Sequence, residues 1–158
     1  METLGAVLTK SSNVFPGMFE GKERMGECIS ARIKYCLQKT KTSQHKLAAE
    51  IGCSRDTVFS YANGKIPEGH MDIGILKKMA AYFGENTYYL CNEYHVFMDT
   101  VDVPEYLRKL RKKAGMPQKE RAGQLGIPLA SYKSYEMGRV RLLERHWNVV
   151  NSLGDGVE

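Results

Sequence analysis

A chain of 158 residues, 42% hydrophobic and 26% charged, has the composition of an ordinary globular protein and the length for one domain or two small ones. Its formal net charge of +5 favours a polyanionic partner, though the same surplus also serves solubility; it is concentrated late in the chain, where residues 102–158 hold 11 basic against 7 acidic side chains. No apolar run reaches the roughly 18 residues of a membrane span, no signal-peptide core is present, and the four cysteines and four histidines lack metal-ligand spacing, so a soluble protein without a membrane or metal partner is expected.

Residues 1–26 read as a flexible arm, with Val14, Phe15, Met18 and Phe19 the one apolar patch in it. From Cys28 the chain reads as short helices. Ile29, Ile33, Cys36 and Leu37 share one helical face, and that helix ends around Lys39 to Thr42. Ser43 is placed to cap a second helix with Leu47, Ala48 and Ile51 inward and Gly52 as its stop. Ser54 is placed to cap a third, with Asp56 in the first turn, Val58, Tyr61 and Ala62 inward, and Asn63-Gly64 at its end. A turn-rich loop, Lys65 to His70, leads to a fourth helix carrying Ile73, Leu76, Met79, Ala80 and Phe83, stopped by Gly84; Thr87 to Asp99 reads as a fifth. Cys28, Cys36, Cys53 and Cys91 read as reduced thiols, which points to the cytoplasm.

The pattern recurs 74 residues later. Gln44-x2-Leu47-Ala48-x2-Ile51-Gly52 is answered by Gln118-x2-Arg121-Ala122-x2-Leu125-Gly126, and Tyr61-Ala62-Asn63-Gly64-Lys65 by Tyr135-Glu136-Met137-Gly138-Arg139. Ile33 and Cys36 are matched by Leu107 and Leu110, and Phe83-Gly84 by Leu153-Gly154 after a loop four residues shorter. The expected architecture is therefore all-α, with two tandem domains of four to five short helices each, at 27–101 and 102–158.

These residues resemble the lambda-repressor-like, Xre-type helix-turn-helix regulators, whose pattern runs Gln-x2-Leu-Ala-x3-Gly-x-Ser and closes on Glu-x-Gly. Residues 44–65 fit all of it except the Glu, and the resemblance covers roughly 29–91 and 104–155. It implies that Ala48 and Gly52 are small so that two helices can cross closely, the second of them entering a DNA major groove N-terminus first. It also implies a phosphate contact for Gln44 and Gln118, base-edge contacts for Ser54, Arg55, Asp56, Thr57 and Ser60, and phosphate contacts for Asn63 and Lys65. Simpler roles stay open beside these. Gln44 also suits helix capping, Asp56 suits the helix dipole better than a phosphate-lined groove, and Arg55 fits either a guanine or a phosphate.

The second copy departs from the pattern at its reading edge, with Pro128 at the cap and Leu129 and Ala130 behind it. Ser131, Lys133, Ser134 and Arg139 remain candidates for DNA contact, and the basic run Arg108, Lys109, Arg111, Lys112 and Lys113 could reach phosphates, with Arg121 joining that surface by snorkelling. The family's buried ion pair is present as Arg111 with Glu136, whereas Leu37 and Ala62 stand at the same places in the first copy. Trp147 reads as packing, and the second copy, lacking a fifth helix, is expected to leave an apolar edge for a partner. The resemblance implies a DNA-binding transcriptional regulator, most plausibly a bacterial or prophage-type repressor acting on double-stranded DNA, commonly as a homodimer. An antitoxin-like interaction module on the same scaffold is the alternative. No nucleophile-base pair, phosphate loop or metal cluster is legible, so no catalytic site and no cofactor are expected, nor does any motif suggest a small-molecule effector.

Overall fold

The computed structural model describes residues 28–154, and every regular element in that range is helical. The arm expected over residues 1–26 lies outside it. Among the described residues the chain divides into two units between Val96 and Phe97.

The first unit contains α1 (Ile29–Lys39), α2 (Gln44–Ile51), α3 (Arg55–Ala62), a 3-10 turn (Glu68–His70), α4 (Ile73–Tyr82) and the first turn of α5 (Glu93–Thr100). Each start has a local cause. The Oγ of Ser43 accepts the Lys46 amide at 3.0 Å, that of Ser54 the Thr57 amide at 3.0 Å, and Oδ1 of Asp72 the Ile75 amide at 2.9 Å, satisfying donors that a helix N-terminus leaves unpaired. The inward residues of these helices form one core, with Ile33, Leu47, Val58, Ala62, Leu76 and Met79 fully buried. The α2–α3 turn needs glycine for its backbone and not for room: Gly52 has φ +75°, while a Cβ there would meet nothing within 4 Å. The close crossing of α2 and α3 is left to Ala48, which is buried.

The fifth helix starts later than the sequence suggests. Thr87 to Leu90 forms hydrogen-bonded turns, and α5 begins at Glu93, where the Asn92 side chain accepts the His95 amide at 3.0 Å. Asn92 thus outcompetes the apolar periodicity that runs through Tyr88 and Leu90, as a capping side chain near a helix start does. The imidazole of His95 is buried. Its Nδ1 accepts the Asn92 amide at 3.1 Å, so Nε2 carries the proton given to the Glu68 carbonyl at 2.8 Å. The Glu68 carboxylate in turn accepts the Ile29 amide at 2.8 Å, tying the 3-10 turn to the start of α1.

The second unit holds the rest of α5, α6 (Val103–Lys113), α7 (Gln118–Leu125), α8 (Leu129–Glu136) and α9 (Glu144–Gly154). Helices α6, α7 and α8 have the same lengths as α1, α2 and α3, and Gly126 and Gly138 take the left-handed backbone that Gly52 and Gly64 take. The caps differ: Pro117 and Pro128 offer no side-chain acceptor to α7 and α8. Trp147 is buried and its ring lies 5.8 Å from Phe97, which also packs edge-on against Tyr106 at 5.1 Å. The last turn of α5 thus packs on Trp147, while Met137, Val140, Leu143 and Val149 remain exposed in this unit. No helix among the described residues is long and apolar enough to cross a membrane.

Candidate nucleic-acid interface

Helix α3 turns Val58, Tyr61 and Ala62 into the core, which leaves Arg55, Asp56, Phe59 and, partly, Ser60 and Asn63 on its outer side. The Tyr61 hydroxyl accepts the Asp72 amide at 2.8 Å and the Tyr61 carbonyl accepts Ser30 Oγ at 2.7 Å, so the inner side of α3 is held by the start of α4 and by α1. Two of the expected base readers are engaged in capping: Ser54 Oγ takes the Thr57 amide and lies 2.8 Å from Thr57 Oγ1. Arg55 and Asp56 are exposed. At the far end Asn63 gives both its amide and its Nδ2 to the Phe59 carbonyl, at 3.0 and 2.9 Å, and after Gly64, at φ +65°, the amide of exposed Lys65 donates to the Ser60 carbonyl at 2.9 Å.

Gln44 lies at the first position of α2, half-buried in a groove shared with Lys34, Lys41 and Ser43. Among the described residues nothing hydrogen-bonds its side chain. Lys34 and Lys41 went unnoticed in the sequence because only the α1–α2 turn, with Lys41 at φ +51°, brings them beside Gln44.

In the second unit the equivalent glutamine is held. Gln118 Nε2 donates to Glu136 Oε2 at 2.8 Å, and Glu136 is bound by Arg111 through Nε at 2.7 Å and Nη2 at 3.3 Å. Burial by itself would raise the Glu136 carboxyl, but the bonds from Arg111 and Gln118 outweigh it and hold the group below its ordinary value. Burial pushes the neighbouring Tyr132 phenol well above its usual range. In the first unit the same two places are filled by buried Leu37 and Ala62.

Arg121 does not join the basic surface. It is 1% exposed, at the position that answers buried Leu47 in the 74-residue recurrence; Nη1 donates to Gln124 Oε1 at 2.6 Å and, among the described residues, Nη2 has no hydrogen-bond partner. The helical register sets this, because the position faces the core whatever side chain it holds. Of the α6 run, Arg108 and Lys109 lie against Glu105 at 3.0 and 3.8 Å, leaving Lys112 and Lys113 exposed at its end. Ser131 and Ser134 are half-buried and Lys133 and Arg139 exposed, alongside the exposed apolar residues Met137, Val140 and Leu143.

A helix-turn-helix family model matches residues 33–90, a stretch that contains α2 and α3 whole and ends within the first unit. No curated protein and no solved structure matches the chain.

Proposed function

We propose that the chain is a sequence-specific DNA-binding transcriptional regulator, of the bacterial or prophage-repressor kind, that lays α3 in the major groove of operator DNA and thereby occludes a promoter. The observation that carries this reading is the outer side of α3: Arg55, Asp56, Ser60 and Asn63 stand together on the second helix of the pair that the family model covers. Arg55 takes the base-reading role, because a guanidinium matches the two acceptors of guanine, while Gln44, Lys41 and Lys65 take phosphates on either side. Ser54 and Thr57 act mainly by fixing the helix start, and Asp56 by complementing its dipole.

Titrating salt against binding of the full chain to random and genomic DNA tests the reading directly. The expected result is a steep fall of log affinity with log salt and a subset of sequences bound more tightly; no binding to either pool would end it. Lys65→Ala should flatten the slope by about 0.9, the share of one phosphate contact. Arg55→Ala should cost about 1–3 kcal/mol at one base pair and relax preference there, whereas Gln44→Ala should weaken binding to all sequences alike. Unchanged base preference in Arg55→Ala would remove Arg55 from base reading.

For the second unit, a tandem copy of the same scaffold, assembly with protein is the favoured use. Its reading edge is Pro128, Leu129 and Ala130, and Met137, Val140 and Leu143 are exposed close by. Lys133→Ala with Arg139→Ala should then leave the salt slope unaltered; a flatter slope would return Gln118, Ser131, Lys133, Ser134 and Arg139 to DNA.

A further inference from the structure

An exposed phenylalanine occupies the middle of the α3 face that would enter the groove. At 100° per residue, Arg55, Phe59, Asn63 and Asp56 fall within an arc of roughly 100°, with Phe59 between the others. Phe59 is 47% exposed, and among the described residues of the first unit no other large apolar side chain is exposed. A single exposed apolar residue is ordinary on a protein surface; the place of this one is what matters. It is not needed by the core, which α3 supplies with Val58, Tyr61 and Ala62, and its backbone carbonyl is pinned by both nitrogens of Asn63. The matching position in the second unit is Lys133, so the aromatic is not a demand of the scaffold.

We infer that Phe59 reads thymine, by packing its ring against the C5-methyl group in the major groove. The inference rests on the reading of α3 as the groove helix. The methyl group is the largest apolar feature among the base edges of that groove, where cytosine has only a hydrogen at the same carbon, and phenylalanine is a side chain suited to it. A hydrogen-bonding residue at position 59 would discriminate by donor and acceptor pattern; a phenyl ring has only apolar area to offer, so its preference is for the base that carries a methyl. Four residues at 1.5 Å per residue place Phe59 about 6 Å beyond Arg55 along the helix, and base pairs are spaced about 3.4 Å, so the thymine belongs within about two base pairs of the guanine read by Arg55.

The test uses duplexes recovered by the full chain from a random-sequence DNA pool, remade with deoxyuridine in place of thymine one position at a time. This change removes the methyl group and nothing else from the groove edge. Wild type is expected to lose roughly three- to fivefold in affinity at one thymine, the worth of one buried methyl group. Phe59→Ala should bind the thymine and uracil duplexes equally, and Phe59→Leu should keep part of the preference, which separates lost contact from a lost fold. A recovered consensus with no thymine near the Arg55 guanine overturns the inference, as does a Phe59→Ala protein with the thymine dependence of wild type. Both outcomes leave α3 as a DNA reader. Failure of the wild-type chain to bind any duplex overturns the groove reading and this inference with it.

Discussion

Arg111→Leu, made alone, is expected to destabilise the second unit by about 3–5 kcal/mol, because it leaves the Glu136 carboxylate buried without its cation. The Glu136 side chain is 3% exposed and that of Arg111 18%, so the damage falls on the acid, which would keep neutral hydrogen-bonding neighbours such as Gln118 but no cation. Arg111→Leu combined with Glu136→Ala installs the pair found at Leu37 and Ala62 and should recover most of the loss, since two apolar residues leave no charge to satisfy. Denaturation followed through Trp147, the one tryptophan and a buried residue of α9, reads the second unit specifically. A single variant as stable as wild type would show that the pair contributes nothing. The pair also makes a pH dependence. Glu136 has a folded-state value below its ordinary 4.5, so the unfolded chain takes up the proton first on acidification. The stabilisation is complete above the ordinary value and is lost as pH falls through the folded one; the double variant should lack this acid-side loss.

Arg121→Leu should act in the opposite direction, raising the stability of the second unit by about 1–3 kcal/mol. Arg121 is 1% exposed, has the neutral Gln124 amide as a hydrogen-bond partner, and among the described residues leaves Nη2 unpaired. Leucine, the side chain at the matching Leu47, fills the slot without a charge to desolvate. Destabilisation on this substitution would show that the buried guanidinium contributes net stability.

Helix existence and most helix starts were legible because they depend on near neighbours. Ser43 and Ser54 cap amides three residues on, and Gly84 takes the left-handed backbone expected of a helix stop. The start of α5 was not, because the choice between Thr87 and Glu93 turned on Asn92 and His95 closing on each other and on the Glu68 carbonyl, 27 residues away. The candidate interface divides the same way. Periodicity suffices to put Arg55 and Asp56 on the outer side of α3, and it also puts Phe59 there. The groove that joins Lys34 and Lys41 to Gln44 exists only once α1 and α2 meet.

The sequence by itself determined the helical register, and with it which residue types face inward, since a period of 3.6 is a local property of the chain. It also determined the 74-residue recurrence and the paired exchange of Arg111 and Glu136 for Leu37 and Ala62. Only the tertiary structure decided what each inward position must accept: that Arg121 is buried, that Gln118 is held by Glu136 while Gln44 is left to its groove, and that Phe97 covers Trp147. Burial and hydrogen-bond satisfaction depend on which elements meet, and a side chain long enough to snorkel to water in one packing is enclosed in another.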